Sequence, residues 1–288
     1  AAERAEAAGA LSTNVLAEMY AAVPYTGDEI DVALQTAAAD EGAKANALLY
    51  QAALFWEGDA MRATALQRAW QRTQASGTGF GTAARVSLEI TRQIAPHPDL
   101  MWFAYDAGRA LIAAGDYDLA WAWLEAASAE GAKENTHAAE VAYNFWPLMQ
   151  MADPEGAFMR DPERFRGWWR DLPVLESIQA TDNRALLYTL YDALGDALPN
   201  AAWDPLFSAP LTVTAYQPSL AVSHALREAS NAGRLAETVL LALVALGDVG
   251  SEGADPATLF NVVQALRRVG LTTEARKIAL EAVVARGL

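Results

Sequence analysis

The sequence predicts an all-α protein, a right-handed superhelical array of antiparallel helical hairpins (an α-solenoid) with little or no β-structure. Three observations lead there. Alanine supplies much of the 53% hydrophobic content, and alanine gives up no side-chain entropy in a helix. Alternating runs of Val, Ile and Thr, the mark of half-buried strands, are almost absent. Glycines also punctuate alanine-rich apolar segments at Gly58, Gly115, Gly233 and Gly270, and with Gly156 and Gly195, which lack the flanking alanine pattern, the joints from Gly115 onward lie 37 to 41 residues apart. A repeat of about 20 to 50 residues is the signature of stacked units.

Taken in order, Thr26-Gly27-Asp28-Glu29 reads as a capping box that opens a helix. ALFWEGDAMRATALQRAW places a joint at Gly58. SGTGFG, residues 76–81, is expected to be a flexible loop that accounts for the wide interval between Gly58 and Gly115. In ALIAAGDYDLAWAWLEAASA, Leu111 and Ile112 end one apolar helix, Gly115-Asp116 make the turn, and Tyr117, Ala120, Leu124 and Ala127 continue at helical spacing. Asp153-Pro154, Asp161-Pro162, Asp204-Pro205 and Asp255-Pro256 combine a capping Asp with Pro at the first helical position, a helix-start signal. Residues 208–218, SAPLTVTAYQP, alternate between prolines and read as extended. ALREASNAGRLAETVLLALVAL and ALRRVGLTTEARKIALEAV give the last two hairpins, around Gly233 and Gly270, the latter an end unit whose polar outer surface carries Arg267, Arg268, Arg276 and Lys277. No linker divides the chain, so residues 1–288 are expected to form a single solenoid domain, interrupted at 76–81 and 208–218.

Gly108, Leu111, Gly115, Tyr117, Ala120, Leu124 and Ala127 resemble the signature of a tetratricopeptide repeat. Gly270, Ala275, Ala279 and Ala282 are similar to the second half of that pattern, and Gly58 with Ala63 follows it more loosely. The early aromatic of the family's first helix is replaced by Ala104, the proline after the second helix is missing, and the spacing exceeds the family's usual repeat. The resemblance covers about half of the chain and implies a divergent helical-hairpin array that serves as a protein-binding scaffold.

Charge and composition narrow the function. Asp and Glu number 36 against 21 Lys and Arg, for a net charge of -15 that would repel a phosphate backbone, so no nucleic-acid partner is expected. The longest apolar run, Val239 to Leu246, is far shorter than the ~20 residues of a membrane span, so no transmembrane segment is expected. Cysteine is absent, which removes disulfides, thiolate metal sites and thiol nucleophiles. The start Ala1-Ala2-Glu3 suits cleavage after a small-residue signal site, and with the missing cysteines it points to a periplasmic or exported bacterial protein, with a cytoplasmic one as the alternative.

Motifs of catalysis are few. SGTGFG has neither a preceding hydrophobic strand nor a following Lys-Ser/Thr, and so does not read as a phosphate loop. His97, His137 and His224 are scattered, and no zinc set is expected. GxSxG and SxxK signatures are absent. Asp116/Asp118 and Asp161/Glu163 are read as turn and helix-start residues. No catalytic residue, cofactor or metal is therefore assigned.

Binding residues stand out more clearly. MRDPERFRGWWRDLP, residues 159–173, sets Arg160, Arg164, Arg166 and Arg170 beside Phe165, Trp168 and Trp169, with 18 Arg against 3 Lys in the whole chain. Arginine forks grip carboxylates or phosphates and stack on aromatic rings. The bland alternative is local ion pairing with Asp161 and Glu163 and tryptophans filling the core. Aromatic residues concentrate between positions 100 and 170, among them Trp102, Tyr105 and Trp121. Trp121 and Trp123 are two apart, about 200° around a helix, so they cannot share a face.

The expected function is a non-enzymatic scaffold that binds a protein or peptide partner on a concave aromatic and arginine surface made by Trp102, Tyr105, Trp121, Arg160, Arg164, Arg166, Trp168, Trp169 and Arg170. Self-association remains open. The alternative is a helical-toroid polysaccharide-active enzyme, or a glycan-binding protein, using an aromatic cleft and paired carboxylates.

Overall fold

The computed structural model describes residues 1–39, 42–75, 79–152, 178–196, 198–207 and 216–288. The fold is all-α, and the only β-type pairing among the described residues is an isolated bridge between Tyr216 and Ala254. The chain forms two compact units, Ala1–Met149 and Gln150–Leu288.

In the first unit, α1 (Ala2–Ala7), α2 (Thr13–Ala21), α3 (Gly27–Asp31) and α4 (Ala33–Ala39) precede the pair α5 (Ala43–Phe55) and α6 (Asp59–Ala75). Short helices α7 (Phe80–Val86) and α8 (Leu88–Thr91) lead through a 3₁₀ turn, Pro98–Leu100, to α9 (Met101–Ala114) and α10 (Tyr117–Gly131). Helix α11 (Thr136–Ala152) ends the unit and runs three residues beyond it. The small buried faces carry the packing: Ala37, Ala45 and Leu49 form one cluster, with Leu34 and Ala69 against it. Close approach is most demanding at Gly108, where a Cβ would lie 2.1 Å from the Phe145 ring, so only glycine leaves room for that aromatic.

Helix α1 is held by charge rather than apolar bulk. The buried Glu6 carboxylate accepts from Thr13 Oγ1 (2.9 Å), Thr82 Oγ1 (2.5 Å) and both Nε and Nη2 of Arg85 (2.7 Å each). Burial pushes the Glu6 carboxyl up, and the hydrogen bonds from Arg85, Thr82 and Thr13 outweigh it, leaving it below the usual carboxylate range.

The second unit contains α12 (Ile178–Leu194), the short α13 (Asn200–Trp203), α14 (Leu220–Asn231), α15 (Leu235–Leu246), a single turn α16 (Gly250–Gly253), α17 (Pro256–Arg268) and α18 (Thr272–Ala285). Helix α17 is central: Leu259, Val262, Val263 and Leu266 are buried, and α12, α14, α15 and α18 all pack on it. Asp255 caps it, its Oδ1 accepting from Ala257 N (3.0 Å) and Thr258 N (3.3 Å), and Pro256 takes the first helical position.

The joints follow the glycines. Gly115 has φ +82, Gly115 N donates to Ile112 O (3.0 Å) and Asp116 N to Leu111 O (2.8 Å), while Asp116 Oδ1 caps α10 by accepting from Leu119 N (3.2 Å). These paired backbone bonds are a left-handed helix ending that an L side chain resists. The same pair recurs at Gly195, Gly233 and Gly270, all with positive φ. Gly58 differs: α5 stops at Phe55, Trp56 is extended, and Gly58 lies just ahead of α6. The capping box at Thr26 and Glu29 forms as read.

Several readings need correction. Phe80 and Gly81 are not part of a loop but the buried start of α7, and α7 with α8 fills the interval before Gly115. Asp204-Pro205 opens only a 3₁₀ turn, Asp204–Leu206. Arg276 does not belong to a polar outer surface: it is buried, with Nη1 donating to Met151 O (3.2 Å) and Nη2 to Asp196 Oδ2 (3.3 Å). Arg267 lies against Gly195, leaving Arg268 and Lys277 exposed. Gly156, Asp153-Pro154, Asp161-Pro162 and residues 208–215 lie outside the described residues, whereas Tyr216, at the end of the stretch read as extended, makes the bridge to Ala254.

Candidate functional site

Of the residues singled out in sequence, Arg160, Arg164, Arg166, Trp168, Trp169 and Arg170 lie outside the described residues. The others lie on α9 and α10. Phe103 is the hub there, stacked on Trp70 at 5.4 Å, edge-on to Trp123 at 5.8 Å and tilted against Trp102 at 5.7 Å. Phe103, Trp70 and Trp123 are buried, and Trp70 Nε1 donates to Ser87 Oγ (3.1 Å). Much of the aromatic density of α9 and α10 is thus core. Trp102 remains 38% exposed, and Trp121 is half-buried, on a different face from Trp123 as the helical angle requires.

Tyr105 is half-buried, its ring edge-on to Phe145 at 6.3 Å. Burial pushes its phenol up to about 12, Arg109 pulling down and Asp106 pushing up by lesser amounts. The Arg109 guanidinium is buried over Phe80 (4.9 Å to the ring centroid) and near Tyr105 (5.7 Å), with Asp106 at 3.5 Å. Burial lowers its pKa, partly offset by Tyr105 and Asp106. Asp106 in turn accepts from Gln67 Nε2 at 2.7 Å. This arginine was not singled out from sequence, where Arg109 reads as one polar position in an apolar helix.

A concave feature of the first unit lies elsewhere among the described residues. Helix α2 ends at Ala21, and the carbonyls of Tyr20, Ala21 and Val23, two of them from the helix end, accept from the buried Gln51 Nε2 at 2.8, 3.3 and 2.8 Å. Pro24 keeps the helix from resuming, Tyr25 OH donates to Lys44 O (2.7 Å), and Thr26 starts α3. Trp56 turns the chain out of α5, its carbonyl accepting from Arg62 Nε (3.0 Å). Between these segments opens a cavity of about 560 Å³ lined by Val23, Pro24, Tyr25, Ile30, Phe55 and Trp56, with Asp31 its one charged wall residue. Phe55 is 61% exposed. The wall offers apolar surface, aromatic faces and one carboxylate, which is a chemistry of binding.

Sequence reasoning missed this groove because its walls come from segments about 25 residues apart in the chain. A signal existed: Phe55-Trp56 puts two large aromatics at a helix end just before a joint, where turn residues are expected.

Other chemistry-bearing groups have local roles. His97 Nδ1 accepts from Asp99 N (3.2 Å), and His224 lies on α14 beside Arg227 (3.1 Å). Among the described residues no three His, Asp or Glu side chains gather as a metal-binding group, and no helix is long and apolar enough to cross a membrane. Compared with protein-family models, curated proteins and solved structures, the chain matches none of them.

Proposed function

We propose that the chain is a non-enzymatic helical scaffold, built on stacked hairpins in the manner of an α-solenoid, that binds an apolar segment of a partner protein. The observation that carries this reading is the groove of the first unit, where Phe55 stands exposed beside Tyr25, Ile30 and Trp56. A solvent-facing aromatic anchor in a groove of this size suits peptide side chains, because the water it releases stabilises the complex and the wall is already shaped by the Gln51 hydrogen bonds. Asp31, in a protein of net charge -15, selects a segment with a Lys or Arg next to its apolar residues. The Arg160 to Arg170 run with Trp168 and Trp169 is the second candidate contact, suited to an acidic segment.

Panning a random-peptide library on the immobilised protein tests this. Expected is a consensus of two or more apolar residues and one basic residue, with binding at least tenfold weaker to Phe55→Ser and to Asp31→Asn at unchanged circular dichroism. Peptides that bind both variants as well as wild type overturn the groove assignment. If those peptides lose binding to an Arg166→Ala/Trp168→Ala variant, the scaffold reading survives with its site moved to that run.

A further inference from the structure

The longest apolar run of the chain forms most of α15, and that helix is apolar on both sides. Thr238, Ala242, Ala245 and Leu246 are buried, on the side where α14 and α17 pack. On the opposite side Leu240 is 64% exposed, Leu243 62% and Val244 55%. Ala236, Leu240 and Leu243 are all exposed and fall at i, i+4 and i+7, a stripe within about 60° of the helix circumference, and at Gly247, which ends α15 with φ +59, the Tyr216 ring lies where a Cβ would stand. Such a stripe is the pattern of a helix awaiting another helix, and leaving it in water forgoes the hydrophobic gain.

From this stripe we propose that the second unit pairs with a second copy of the chain, α15 lying antiparallel on α15 across a two-fold axis. The stripe is self-complementary. About the midpoint between residues 240 and 243, Leu240 faces Leu243 of the other copy, and the small Ala236 faces the end of α15 where the Tyr216 ring lies against Gly247. An isologous contact requires this kind of matching, since the same patch must serve both sides. The charges agree as well. Glu237 is the one charged residue between 235 and 247, and it is already paired with Arg234 (2.5 Å). The antiparallel register brings Arg234, at the start of α15, beside the exposed Asp248 that follows the other copy's α15. It also sets each helix's positive end against the negative end of its partner. Leu220, 88% exposed, lies at the start of α14 and so at the end of the Gly233 hairpin where α15 finishes. Two short helices bury less than the ~1,200 Å² of a standard interface, so the dimer belongs to the weak, concentration-dependent class. This pairing goes beyond the peptide-binding reading and does not depend on it, because its residues lie in the other unit.

Sedimentation velocity over a concentration series tests the proposal on the whole chain. The expected mass rises from 30.8 kDa toward twice that value as protein increases from about 1 to 200 µM. Leu240→Gln/Leu243→Gln should remain monomeric throughout with an unchanged melting temperature, since both residues are exposed. Arg234→Asp should weaken the dimer at least tenfold by setting two acids together, and Arg234→Asp/Asp248→Arg should recover it. A wild-type chain that stays monomeric at the highest concentration overturns the proposal. So does a dimer indifferent to the Leu240 and Leu243 changes, which would place self-association on another face. A dimer lost with those leucines but not recovered by the charge exchange overturns the antiparallel register.

Discussion

The α9–α10 hairpin of the first unit and the α14–α15 hairpin of the second are closed by the same local device and finished in opposite ways. Gly115 and Gly233 both take a left-handed φ, and the next residue returns a backbone hydrogen bond five residues back, Asp116 N to Leu111 O (2.8 Å) and Arg234 N to Ala229 O (3.0 Å). In the first hairpin, Trp123, Leu124, Ala120 and Ala127 of the second helix are buried, with Trp123 against Phe103. In the second, Leu240, Leu243 and Val244 stand in water. Helix formation and hairpin closure are therefore separable from burial. Apolar character alone does not say which face is covered.

The sharpest way to break that comparison is to truncate one large apolar residue from each second helix. Trp123→Ala should cost about 3–5 kcal/mol in urea unfolding, because it empties a buried aromatic site. Leu243→Ala, measured at a concentration low enough to keep the chain monomeric, should change stability by no more than about 0.5 kcal/mol. Equal losses at the two positions would show that Leu243 is covered within one chain.

A smaller effect tests the likeness of the joints. Gly115→Ala and Gly233→Ala should each cost about 1 kcal/mol, through left-handed strain alone, since an added Cβ meets nothing within 4 Å at either place. A matched pair of losses supports a common closing device. A loss confined to one joint would mean that the other relaxes to a different turn.

The smallest effect is a pH dependence that belongs to the first unit. The native Glu6 carboxyl lies below its ordinary value of 4.5, so as pH falls through that value the unfolded chain takes up the proton first and the native state loses stability until Glu6 itself protonates. Wild type should show a drop in urea midpoint below about pH 4.5 that is shallower in Glu6→Gln, the variant itself being less stable at pH 7 because Arg85 has lost its anion. Identical slopes would exclude Glu6 as a source of acid sensitivity.

Legibility from sequence followed the range of the interactions concerned. The capping box at Thr26, the Asp116 and Asp255 caps and the glycine joints could be read because each is settled within about five residues, by a hydrogen bond or a backbone angle. Arg276 was misread for the converse reason: its partner, the carbonyl of Met151, is 125 residues away, so a cation on an amphipathic helix looked like surface. Trp121 and Trp123 were correctly separated by helical angle, but which of them is buried depends on Phe103. The groove at Phe55 and Trp56 escaped notice because its other wall comes from residues 21–31.

For this chain, the order of residues was sufficient to specify that it is helical, where several of its hairpins turn and how several helices are capped, since propensities and caps act over a turn or two of backbone. Which apolar faces became core and which stayed open, at α15 and at the groove, was decided by the packing of distant segments. Burial is a property of whatever lies across a face, and along α15 the local pattern of Leu, Val and Ala is equally apolar on the covered side and the bare one.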